Sequence, residues 1–183
     1  MYINHNNHPC PYYANTPYNP YKMYQCPCFA NMPMLPAQYN NYPKAGVPAR
    51  LIDYGPNPFV VDIQEAAKQN NNYRTALWTG SYLQLTLMSI NAGEDIGLEM
   101  HPDVDQFICI EEGQGHVKMG DRKDMLDFQA NVGYGYAIFI PAGKWHNLIN
   151  TGNIPIKLYS IYAPPQHPHG TVQATKAIAQ AAE

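Results

Sequence analysis

The stretch from Gly133 to Asn150, GYGYAIFIPAGKWHNLIN, decides how this chain folds. Tyr136 to Ile140 reads as a strand. Tyr136, Ile138 and Ile140 alternate with Phe139, which predicts burial on both faces. Pro141-Ala142-Gly143 then turns the chain, because proline presets φ and glycine accepts backbone conformations other residues avoid. Trp145 to Ile149 reads as the returning strand. His146 lies just past its start, and Trp145 faces the opposite side, toward core or interface.

Outward from this hairpin, strand-like runs recur at short spacing: 73–78, 82–90, 94–101, 106–111, 115–119, 136–140, 145–149 and 156–162. Leu83, Leu85 and Leu87 alternate with Gln84 and Thr86, the period of a strand with one face in the core and one in water. Turn residues separate the runs at Thr79-Gly80, Asn91-Ala92-Gly93, Glu112-Gly113, Gly120-Asp121 and Thr151-Gly152. Short strands with this punctuation predict an all-β sandwich or barrel. Phe59 to Ile63 reads as a further short strand. Ile63 to Gln69 reads as one or two helical turns capped by Asp62, and the alanine-rich stretch from Val172 to Glu183 as helical.

Residues two apart on a strand share a face, so Glu99 and His101 project together. Pro102-Asp103-Val104 ends that run, and Gln106 opens the next one beside His101. Closure of the sheet brings in His146. The candidate metal ligands are therefore Glu99, His101, Gln106 and His146. Two imidazoles and a carboxylate suit Mn(II), Fe(II), Zn(II) or Ni(II). The neutral Gln106 amide serves as a weak fourth ligand or orients an imidazole. In a catalytic protein, Glu99 is also the candidate group for moving a proton.

These residues carry a resemblance to the cupin superfamily. Its first motif runs Gly, five residues, His-x-His, three or four residues, Glu, six residues, Gly. Here Gly93 opens it, Glu99 stands at the first histidine, His101 matches the second, Gln106 stands at the glutamate and Gly113 closes it. The second motif runs Gly, five residues, Pro-x-Gly, two residues, His, three residues, Asn. Gly135, Pro141, Gly143, His146 and Asn150 match it at every position. The two motifs span residues 93–150, and the strand pattern extends the likeness across 59–165. The resemblance implies a double-stranded β-helix, or jelly-roll barrel, with the four named residues pointing into a pocket between two sheets. A divalent metal is often held there. The exchange of a histidine for Glu99 and of a glutamate for Gln106 keeps the formal ligand charge at −1 while permuting the donors.

The chain divides by composition. Residues 1–50 hold nine of the 17 prolines, eight of the 15 tyrosines, three basic groups and no acid. This predicts an extended or disordered arm. Residues 51–165 form the expected barrel domain, and 166–183 a tail with a short helix. The whole chain carries −3 and has no basic run, which argues against a nucleic-acid partner. It shows no 18-residue apolar run and no leader of secretory type, so the expectation is a cytoplasmic protein without membrane contact. Cys26-Pro27-Cys28 lacks the two-residue spacer of common zinc motifs. His5, His8 and Cys10 fit coincidence better than a metal site, and Cys109 reads as a buried small apolar residue.

His116 is expected at the surface. His167 and His169 lie in PPQHPHG (residues 164–170), a rigid exposed turn that could fold over the barrel mouth. Arg74, Lys118, Arg122 and Lys144 look scattered, with no cluster to hold a phosphate. The functional expectations are three. One is a metal-dependent enzyme on a small molecule, resembling mannose-6-phosphate-type sugar-phosphate isomerases or acting as an oxygenase. Another is a non-catalytic binder of a small ligand such as a carbohydrate. The third is an assembly protein, since the arm is similar in composition to spore-coat proteins. Edge strands need cover, so a homodimer or larger homo-oligomer is expected.

Overall fold

The fold is that of a computed structural model, which describes residues 50–182. The aromatic arm, with His5, His8, Cys10, Cys26 and Cys28, lies outside the described residues.

A short helix, α1 (Ile63–Gln69), precedes strands β1 (Arg74–Thr79), β2 (Gln84–Ile90), β3 (Asp105–Glu112), β4 (Gln114–Gly120), β5 (Phe128–Gly133), β6 (Ala137–Ile140), β7 (Trp145–Asn150), β8 (Ile156–Ala163) and β9 (Val172–Gln173). Helix α2 (Lys176–Gln180) follows them. One sheet has the order β6-β3-β8-β2-β1-β9 and the other β5-β4-β7, with neighbouring strands antiparallel. This is the expected all-β jelly roll. Asp62 caps α1 as expected, its Oδ1 accepting from Glu65 N at 3.1 Å. The terminal helix is shorter than its alanine content implied, starting only after the Thr175 cap.

Three strand expectations change. Residues 59–62 form no strand; they lead into α1 and pack with it on the outside of the large sheet. Strand β5 was not expected, because its outward residues are polar and only Ala130 and Val132 pack inward. Residues 94–101 form no regular strand. They run along β7 through Glu99 N to His146 O (3.1 Å), His146 N to Glu99 O (2.9 Å) and Ile96 N to Leu148 O (3.1 Å). Asp95 Oδ1 accepts from Gly97 N at 2.8 Å, and Gly97 sits at φ +84, a bend that breaks the ladder between two bridges.

The large sheet is covered on both faces. Leu85, Leu87 and Leu77 point outward beneath Ala66, Ala67, Val61 and Ile63, forming a second small core. Full burial, as for Leu77 and Leu87, contributes about 1.5–3 kcal/mol per leucine. Gln84 and Thr86, expected in water, are instead 0% exposed and face inward. Across the register, Gln84 opposes Tyr162, Thr86 opposes Ser160, and Gln106 opposes Tyr162 from the other side. Further along the same strands the inner face is Met88, Ile90, Ile108, Ile110, Ile156 and Leu158, packed with Val117 and Leu148 of the small sheet. The barrel interior thus has an apolar end and a polar end.

Strand β6 lies at an edge, and only its inward residues are buried. Ile138 and Ile140 are inside, while Phe139 is 70% exposed, contrary to the two-faced burial its alternation implied. Cys109 is half-buried on the outer face, with Sγ 3.8 Å from Glu111 Oε1, rather than in the core.

Candidate metal centre

The two sequence motifs meet through their backbones. Gly143 N donates to His101 O at 2.7 Å, and Asp105 Oδ1 accepts from Ala142 N at 2.9 Å. Lys144 N donates to Pro141 O at 3.2 Å, closing a turn in which Gly143 takes φ +78. This turn delivers His146 to the inner face of β7, where it is 1% exposed. The irregular 94–101 run then lays Glu99 and His101 beside it. One ligand atom from each of Glu99, His101 and His146 lies within 4.8 Å of the others.

The hydrogen bonds assign the protons. His146 Nδ1 is 3.0 Å from Lys144 O, and a carbonyl only accepts, so Nδ1 carries the proton. Nε2 points at Glu99 Oε1, 3.3 Å away; protonated it donates to that oxygen, and unprotonated it offers a lone pair to a cation. His101 Nε2 stands 3.6 Å from the same oxygen and is buried without a hydrogen-bond partner. Burial alone would raise the Glu99 carboxyl, but the two imidazoles beside it outweigh burial and hold the group at about 2. An ionised carboxylate facing two imidazole nitrogens is a donor set for a cation. The fixed Nδ1–H of His146 is the backing contact that metal-ligating histidines usually have.

Gln106 is 3% exposed at the same end of the barrel. Its Nε2 donates to Ser160 Oγ at 3.1 Å and Tyr162 Oη at 3.2 Å, while Oε1 is buried without a partner. The Tyr162 ring lies 5.8 Å from His101, so Gln106 backs onto the wall of the triad. Asn150, the last residue of the second motif, is a clasp instead. Its Nδ2 donates to Ile90 O (2.9 Å) and Ile154 O (2.8 Å), and its Oδ1 accepts from Gly152 N (2.9 Å).

Two groups at this end were not expected. Arg74, which looked scattered in sequence, is 1% exposed on β1, donates to Gln173 Oε1 at 2.9 Å and hydrogen-bonds the Tyr162 side chain. A signal was present: a lone cation in the otherwise strand-like run YRTALW is an anomaly on a strand buried on both faces. His167 is the other. Gln84 grips the strap that carries it, donating to His167 O (2.8 Å) and accepting from His167 N (2.9 Å). The ring stands edge-on to Tyr162 at 5.1 Å, with Nε2 buried and unpartnered. Burial, with Arg74 nearby, pushes His167 down to about 3, so the ring is neutral. The strap therefore folds over the barrel with the His167 ring inside, rather than standing as a wholly exposed turn. His169 stays exposed, 3.0 Å from Gly55 O and 3.5 Å from Asp53. His116 lies outside this end of the barrel, bonded to Asn131 and Gln129.

Comparison with known proteins agrees with this architecture. Residues 86–162 match the cupin domain family. The protein YrkC of Bacillus subtilis (strain 168) is 68% identical over 133 residues, covering 73% of this chain and 72% of that protein. The chain belongs to the cupin family. A more distant relative, the mimivirus protein L612 of Acanthamoeba polyphaga mimivirus, is 40% identical over 119 residues, 64% of this cupin and 72% of that protein. The crystal structure of BH2720 from Bacillus halodurans is similar with a TM-score of 0.71 and 65% identity, over 71% of this cupin and 98% of that chain. A double-stranded β-helix protein from Klebsiella pneumoniae shares the fold, with a TM-score of 0.50 and 15% identity over 65% of this chain and 100% of its own. Among the described residues no helix is long and apolar enough to cross a membrane.

Proposed function

We propose that this cupin binds one divalent transition metal through Glu99, His101 and His146, with Gln106 Oε1 as a fourth protein ligand. The observation that carries the reading is the pair of imidazole Nε2 atoms, at 3.3 and 3.6 Å, aimed at one ionised carboxylate oxygen. Two histidines and one carboxylate suit Mn(II), Fe(II), Zn(II) or Ni(II). When bound, such a metal supplies Lewis acidity to a small-molecule oxygen, the chemistry common to isomerase-like and oxygenase-like reactions. Glu99 is the anionic member of the triad, and its assigned role is that of a ligand. The Lys144 carbonyl orients His146, Gln106 is braced by Ser160 and Tyr162, and the His167 strap limits access of water. The protein is proposed to work as a homodimer paired through the β6 edge.

Elemental analysis of the purified protein is expected to give close to one divalent metal per chain. His146→Ala should remove most of it and His116→Ala almost none. Absence of metal, with no uptake of Mn(II), Fe(II), Zn(II) or Ni(II), overturns the reading. Equal loss in both variants shows the site to be elsewhere.

A further inference from the structure

We propose that the polar end of the barrel takes a small carboxylate, whose anionic group is held by the Arg74 guanidinium with Tyr162 and His167 beside it. The proposal deepens the metal reading by naming the ligand class that the same pocket accepts.

Arg74 starts from a strand position opposite Met88, yet its side chain reaches the Tyr162 hydroxyl. Gln173, paired with Arg74 on β9, accepts from Nη1 at 2.9 Å and so orients the guanidinium. From there the wall is continuous. The Tyr162 ring is 5.1 Å from His167 and 5.8 Å from His101, and His101 is 5.5 Å from His146. Arg74 and the metal triad are therefore two ends of one polar surface.

The charges along that surface favour an anion. Arg74 and Glu99 are charged groups that act on both Tyr162 and His167. Arg74 and Glu99 offset each other. A divalent metal at the triad would leave a net positive charge in a buried space, which is costly unless compensated. A carboxylate reduces it, and a guanidinium offers two parallel N–H donors that match its oxygens. The other buried cation, Lys157, is committed elsewhere, to Asn70 O and Asn71 Oδ1, so a single guanidinium faces this surface, where a phosphate calls for several cations. Thr86 Oγ1, Gln106 Oε1 and His167 Nε2 are buried without hydrogen-bond partners. Buried polar atoms in native proteins are nearly always paired, so three on one surface indicate the place of a polar ligand. His167, neutral and adaptable by tautomer, can either donate to a ligand oxygen or accept from a ligand hydroxyl.

The test is calorimetric titration of the full-length protein, metal-free and Mn(II)-loaded, with acetate, glycolate, pyruvate and inorganic phosphate. At least one of the three carboxylates is expected to bind at least tenfold more tightly than phosphate. Arg74→Gln should weaken that binding tenfold or more while leaving the Mn(II) stoichiometry unchanged. Arg74 is deeply buried, so His167→Gln, on the strap, tests the same surface if the first variant fails to fold; a loss of threefold or more is expected. The inference is overturned if no carboxylate binds either form, if phosphate binds more tightly, or if folded variants bind like the wild type. Carboxylate binding that depends on Arg74 in a protein taking up none of Mn(II), Fe(II), Zn(II) or Ni(II) would sink the metal reading alone. Mn(II) uptake without carboxylate binding would sink this one alone.

Discussion

At the scale of single residues, protonation is decided by neighbours rather than by residue type. A backbone carbonyl sets the His146 tautomer, and two imidazoles hold Glu99 ionised against its own burial. His167 gives the clearest solution signature. Burial pushes it to about 3, from 6.5 for a free histidine, so the unfolded chain takes up this proton first as the pH falls. The stability contributed by neutral His167 is complete above pH 6.5 and is lost progressively as the pH drops toward 3. Between pH 6.5 and 4, the unfolding free energy is expected to fall through this group by up to about 1.4 kcal/mol per pH unit. His167→Gln should remove that component from urea unfolding measured across the interval. An unchanged pH slope in the variant would show that His167 is solvated. The chemistry of Glu99, His101 and His146 was legible in the sequence because their spacing and residue types suffice to nominate them. Arg74 left only the anomaly of a cation in a strand-like run, and the entry of the His167 ring depends on the strap's bonds to Gln84 and Asp53.

At the scale of elements, alternation of residue type gave the strands but misread their surroundings. The alternation in β2 was real, but its polar face lies inside the barrel and its leucines lie under α1. Period two reports two different faces without saying which one meets water. The run 94–101 was legible as extended chain, while its break at Gly97 follows from the Asp95 side chain closing a local turn. Strand β5 was hidden because its pattern is mostly polar. Asn150 shows how an element is secured by one amide, which joins the end of β7 to β2 and to the turn before β8. Asn150→Ala strands three backbone groups and should destabilise the protein by about 1–3 kcal/mol, while leaving metal content near that of the wild type. Loss of metal without loss of stability would move Asn150 from clasp to site.

At the scale of the molecule, two sheets enclose one space with two chemistries. The apolar end holds the barrel together through Ile108, Ile110, Val117 and Leu148, and the polar end carries the candidate site. The outside is uneven too. Phe139 is 70% exposed on the edge strand β6, with its ring 5.1 Å from Phe107. An uncovered strand edge flanked by aromatic surface is a ready site for pairing. Sedimentation equilibrium is expected to give twice the 20.6 kDa chain mass, and Phe139→Lys to shift it toward the monomer. A monomeric wild type would show that the edge is tolerated in water.

Sequence by itself determined the all-β fold, the turn that delivers His146, and the candidate residues Glu99, His101, Gln106 and His146. Those follow from local rules: strand period, turn chemistry and the spacing of ligand-type side chains along the chain. Tertiary structure alone decided which face of β2 lines the barrel, that Arg74 is buried at its polar end and that the His167 strap folds over it. Each of these depends on contacts between residues tens of positions apart, and closure of the barrel is what brings them into one space.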